Sequence, residues 1–195
     1  LSATIYLNGL YNNSKFKYDS ITRQTIKYAI ALDSLDMAAD HVADLLWYNT
    51  YGVRKPEEGI LLFNTYINDF KTIENNHTLA RLYFYVGVSY EATGDLEKPL
   101  ECYIKVKDYS IKSGNDSYLG LANQYIGHEE SNLGKFSEAS ISYKTAIGLF
   151  IKVKDTTSII NTKNSLANLY SVNAFHEEAL IERNEAIELA KNGIT

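Results

Sequence analysis

Few residues of this chain stand in arrangements that could do chemistry. His falls beside acids twice, in His128-Glu129-Glu130 and His176-Glu177-Glu178. Imidazole and carboxylate groups are ordinary zinc ligands. Neither triplet has the H-E-x-x-H spacing that sets two imidazoles on one helix face. With 24 acidic residues in 195, such neighbours arise by accident. Gly127 to Lys135 superficially suggests a phosphate loop, but the spacing is wrong and no strand precedes it. The single Cys102 excludes a disulfide framework and a multi-Cys zinc site. Lying at helical spacing among apolar residues, it reads as a small core residue rather than a nucleophile. No Ser-His-Asp set has recognisable local context. No catalytic residue, metal or cofactor is expected, and the chain reads as a non-enzyme.

What remains is a scaffold, and composition describes it. The chain is 45% hydrophobic and 22% charged, with 16 Tyr and only 2 Pro. These are globular values that exclude collagen-like and disordered classes. No apolar run approaches the roughly 18 residues of a membrane span. A net charge of −5 argues against nucleic-acid binding, which needs a basic face. Lys15, Lys17 and Arg23 form a mild basic cluster that reads as a solvated helix end. Nothing resembles a signal peptide. Since a cleaved signal leaves no trace, the compartment stays open: cytoplasmic, or periplasmic if a signal was removed. The chain begins at Leu1 and reads as a piece of something larger.

The dominant feature is a repeat with a 40-residue offset. Gly87, Gly127 and Ala167 form one aligned set, and Val106, Ala146 and Ala186 another. Leu82, Tyr83, Val86 and Tyr90 lie on one face of a 3.6-residue period. Gly94 and Gly134 are natural left-handed helix stops; Asn173 or Ala174 serves in the last unit. A second apolar helix follows each stop. Asn115 or Asp116, and Asp155 or Thr156, are N-cap candidates. Gly87 and Gly127 let the second helix of a pair lie close to the first, opposite the small Ala139 and Ala179. Tyr103 and Tyr143 are expected to fill the gaps between units. Upstream, Asp36 to Thr50 and Pro56 to Ile73 read as one helix pair. Ile5 to Asn12 and Ser20 to Leu32 read as another. The register near Trp47 is unsettled, because Trp47 stands where Gly87 would be.

Gly87, Tyr90, Gly94, Tyr103 and Val106, then Gly127, Gly134, Ala139, Tyr143 and Ala146, together resemble the tetratricopeptide repeat. Leu166, Ala167, Tyr170, Ala179 and Ala186 follow the same pattern. Pro99, Glu130 and Phe175 depart from it, and the period exceeds the usual 34 or so. The resemblance implies an all-α superhelical solenoid of about five antiparallel helix pairs. Its single domain would span 1–195, with units near 1–33, 36–74, 77–114, 117–154 and 157–193. Long repeats of this type resemble those of bacterial regulatory proteins, including peptide receptors and sensor regulators.

The resemblance also implies a concave groove lined by the first helix of each pair. Mapped through Gly87, its lining positions include Arg81, Phe84 and Val88 in one unit. The next two units supply Gln124 and His128, then Asn161, Asn164 and Asn168. The less certain upstream unit offers His41, Asp44, Tyr48 and Tyr51. An Asn or Gln amide carries a donor and an acceptor, so it pairs with peptide backbone whatever the sequence. Phe84, Val88, Tyr48 and Tyr51 would supply apolar pockets. The implied role is a peptide- or protein-binding module, the sensing part of a larger bacterial signalling protein such as a transcriptional regulator or sensor kinase. Groove occupancy would bias an attached output domain. The alternative is a free-standing adaptor that assembles a protein complex. Arg81 has no second base nearby, which argues against a groove for terminal carboxylates. Self-association stays open, because the terminal units of a solenoid need capping.

Overall fold

The computed structural model describes residues 15–192. They contain nine α-helices and no strand. The helix expected over Ile5 to Asn12 lies outside them. The chain divides into two compact units, one ending at Asp95 and the other starting at Leu96. The division falls inside the expected unit 77–114.

The first unit holds α1 (Lys15–Ala31), α2 (Leu35–Trp47), α3 (Pro56–Tyr66) and α4 (Asn76–Thr93). Helix α2 packs on the other three. It contributes Ala38, Ala39, Val42, Ala43, Leu45 and Leu46 to the core. Two expected helices end early. The one expected to reach Thr50 stops at Trp47 and gives way to a π-helical turn, Tyr48–Gly52. Buried Asn49 donates its side-chain amide to the Leu45 carbonyl at 2.8 Å. Buried Thr50 shares a 2.8 Å hydroxyl bond with Ser89 of α4. The wider turn therefore places two polar side chains where both find partners, which burial demands. The helix expected over Pro56 to Ile73 breaks after Tyr66 into a 3-10 turn, Asp69–Thr72. Asn68 and Asp69 sit at that break, and short polar side chains compete with helical backbone bonds.

The second unit holds α5 (Lys98–Ser113), α6 (Asp116–Asn132), α7 (Phe136–Val153), α8 (Thr156–Val172) and α9 (His176–Asn192), each packed on its chain neighbour. A Cβ placed on Gly120 would lie 2.7 Å from the Phe150 ring. One on Gly127 would lie 3.0 Å from the Tyr143 ring and 3.3 Å from the Ala139 carbonyl. Tyr143 thus fills the space over its own partner helix. Tyr103 stacks on Tyr125 of α6 at 4.9 Å and so joins successive pairs as expected. The three departures from the repeat pattern also find places. Pro99 sits in the first turn of α5, where its missing N–H costs no helical bond. Glu130 accepts a 2.6 Å bond from Ser142 of α7. Phe175 stacks on Phe136 at 5.1 Å.

The helices stop with a fixed beat. Gly94, Gly114, Gly134, Lys154 and Ala174 all have positive φ, at 79°, 66°, 72°, 58° and 64°. They stand 20 residues apart. After each, the next N–H bonds back five residues, as Asp95 does to Tyr90 and Phe175 to Tyr170. In the last unit Ala174 takes the left-handed position rather than Asn173. Starts recur at the full 40-residue period: Asn75, Asn115 and Asp155 cap α4, α6 and α8 with side-chain oxygens.

A left-handed non-glycine residue carries a penalty of roughly 1–2 kcal/mol. Ala174→Gly is therefore expected to stabilise the protein by about 1 kcal/mol in a urea titration. Gly120→Val should destabilise it by about 1–3 kcal/mol through overpacking against Phe150. Gly148 faces open space in α7, so Gly148→Ala should instead stabilise by up to about 1 kcal/mol.

Candidate functional site

The expected groove residues fall into different environments. Phe84, Val88 and Gln124 are only 8%, 5% and 9% exposed, and Tyr48 is buried too. Tyr51 is exposed. Arg81 and His128 are half-buried, while Asn161, Asn164 and Asn168 are exposed.

In the first unit Arg81 ties α4 to α2. Its Nη1 donates to the Asp40 carbonyl at 2.9 Å and to Asp40 Oδ1 at 3.0 Å. Its Nη2 donates to Asp44 Oδ1, and its guanidinium lies 5.7 Å from the centre of the Tyr85 ring. His41 Nδ1 stands 3.5 Å from Asp44 Oδ2. Burial pushes the Asp44 carboxyl up, but hydrogen bonds and charge from His41 and Arg81 outweigh it, and the net shift is downward. Burial opposes the Arg81 charge, yet Asp44 and Asp40 hold it firmly protonated. Beside this clamp opens a pocket of about 570 Å³ lined by Met37, Asp40, His41, Asp44, His77 and Arg81. Sequence pattern alone does not mark Asp40 and His77 as pocket residues. Asp40 lies four residues before Asp44, one helical turn away, and that spacing is its one signal in the sequence.

In the second unit a polar row runs along α8. Asn161, Asn164 and Asn168 follow at i, i+3 and i+7, one stripe of the helix. Asn168 Oδ1 accepts from Arg183 at 2.8 Å. The side chains of Asn161 and Asn164 make no hydrogen bond within the described residues. His128 Nε2 and Ser165 Oγ stand 3.1 Å apart, which fixes the register of α6 against α8. These two helices run parallel, because α7 lies antiparallel between them. One turn back from His128 is Gln124, and one turn back from Ser165 is Asn161. Gln124 is largely buried as a residue, but its amide reaches solvent and makes no hydrogen bond within the described residues. Beneath the row, Tyr143 packs edge-on to His128 at 5.5 Å. Burial, then the charges of Glu129 and Glu130, push its phenol up, so it stays neutral.

Cys102 is buried. No group of three or more His, Cys, Asp or Glu side chains among the described residues is arranged to hold a metal ion. No described helix is long and apolar enough to cross a membrane.

The clamp has a pH signature. Asp44 titrates below its ordinary value of 3.8 in the folded state. Its contribution is then fully present above that value and is lost as pH falls through the folded one. Wild type should exceed Asp44→Asn in stability by on the order of 1 kcal/mol at pH 7. The gap should narrow below about pH 4, as read by thermal melts across pH.

No protein-family profile matches the chain, and no curated protein matches it in sequence. Its fold does match solved structures. BtubC (BKLC) from P. vanneervenii superposes with a TM-score of 0.73 at 16% identity, covering 89% of this chain and 72% of that one. The nearly identical TPR-like repeats of a Podosopora anserina chain named as a kinesin light chain give 0.68 at 14%, over 97% and 93%. MamA MSR-1 C2 gives 0.56 at 19%, over 88% and 96%. The antiparallel pairing, the helix stops and these likenesses agree: the chain has the tetratricopeptide-type helical repeat fold.

Proposed function

We propose that this chain is a non-catalytic peptide- or protein-binding module, the sensing or regulatory part of a larger bacterial signalling protein such as a transcriptional regulator or sensor kinase. The observation that carries the binding reading is the row of unpaired amides, Gln124, Asn161 and Asn164. Each offers a donor and an acceptor that no group of the described residues engages. A ligand backbone supplies partners for both. Gln124 stands level with the unpaired Asn161, and Asn164 and Asn168 continue the row. An extended segment laid along α6 and α8 would meet alternating donors and acceptors, with His128 beside them. The regulatory half of the proposal rests on the long, 40-residue period. A ligand that fits one conformation better shifts the population toward it, and an attached domain can read that shift.

A random peptide library displayed on phage and panned on the protein supplies the test. The best-selected peptide should bind Asn164→Ala/Asn168→Ala at least tenfold more weakly, with an unchanged helical melt. Gln124→Leu should weaken binding while leaving the fold at least as stable. Unchanged affinity in both variants would place the binding surface elsewhere. If panning selects no peptide while a pull-down retains large folded partners, the adaptor reading replaces the sensor.

A further inference from the structure

The pocket between α2 and α4 in the first unit is a site of different chemistry, independent of the amide row. We infer that it binds an organic cation: the ammonium or guanidinium end of a ligand chain. The pocket already holds one cation, but Arg81 is spent. Its guanidinium donates to Asp40 twice and to Asp44 once, and its face rests against Tyr85. Among the carboxylates and guanidinium of the lining, which His41 and His77 complete, two acids stand against one base, an excess of one negative charge. An anionic ligand would meet two carboxylates, and the one guanidinium of the lining is already engaged, so the lining selects against it.

The geometry suits a cation with an aliphatic stem. The Asp40 side chain is 45% exposed, and only its Oδ1 is engaged with Arg81. The second oxygen can accept a charge-assisted bond. Met37 is 52% exposed and offers a soft apolar wall for methylenes. Arg81 holds both carboxylates in place before a ligand arrives, so little side-chain entropy is lost on binding. The cavity, about 570 Å³, admits a lysine or arginine side chain together with part of the backbone that bears it. The same chemistry could come from a basic residue of a partner protein or from a free polyamine.

The test follows backbone amide shifts by NMR during titration of the whole chain with N-acetyl-arginine amide. Its neutral isostere, N-acetyl-citrulline amide, is the control. The arginine compound should shift the amides of His41, Asp44, His77 and Arg81 saturably, at least tenfold more tightly than citrulline. Binding should weaken with added salt. Asp40→Asn keeps an acceptor for Arg81 but removes the charge, and should weaken binding at least fivefold. Asn164→Ala/Asn168→Ala should bind like wild type, which separates this site from the amide row. A basic hexapeptide that binds more tightly than putrescine marks a protein partner as the source; the reverse marks a free amine. Equal shifts from arginine and citrulline compounds would overturn the inference. So would unchanged binding in Asp40→Asn, or no shift with either cation.

Discussion

Two aromatic rings occupy space that almost any side chain would need. Phe150 and Tyr143 of α7 lie where the Cβ atoms of Gly120 and Gly127 would be, and the α6–α7 pair closes only because those atoms are missing. The same ring of Tyr143 touches His128, whose other side meets Ser165 of α8. The close approach of one pair thus sets the height at which the next helix sits, and with it the level of the Asn row. In the core of this unit Ala139, Ala146, Ile147, Leu166 and Leu169 pack around the same rings. Burying such a face, rather than helix propensity, is what holds helices of this length in water.

Legibility followed the strength of the local signal. Gly94 and Gly134 were readable as stops because glycine alone enters the left-handed region freely. Lys154 was not, since a lysine there has no sequence signature; it is held by the geometry of the turn around it. Between Asn173 and Ala174, propensity favoured Asn and tertiary position chose Ala. The caps Asn115 and Asp155 were readable as pairs of candidates, and hydrogen bonds selected one of each. The π turn at Tyr48–Gly52 was invisible. It goes with a bond between Thr50 and Ser89, 39 residues apart, and no local pattern encodes such a partner.

The site was legible in part, for a related reason. The repeat register predicts which positions share a face, but whether a side chain there is open depends on what packs over it. Asn161, Asn164 and Asn168 lie open to solvent. Phe84 and Val88 share their register yet are buried. Arg81 was readable as a groove residue, but not as a bound one. Its role depends on Asp40, which no spacing relative to Arg81 marks. Buried Lys163 makes the parallel case on the other side of α8, bonding Glu182 and Glu185 of α9 at 2.7 and 2.6 Å. In both, a cation on one helix with two carboxylates on a helix packed against it acts as a staple, and its geometry limits how far the two helices can slide.

The fixed beat of the left-handed stops bears on how such a chain can grow or shrink. Starts marked by Asn75, Asn115 and Asp155 recur every second stop. Removing residues 116–155 would join Asn115 to Thr156, so the capping asparagine would still stand before a helix of the same polarity. Removing half that length would join helices of opposite polarity and bring the wrong faces together. One inserted residue inside a helix would rotate everything beyond it by about 100°. The heritable unit of length change in this protein is therefore the pair, and recombination at its turns can shorten or extend the array without redesigning any core.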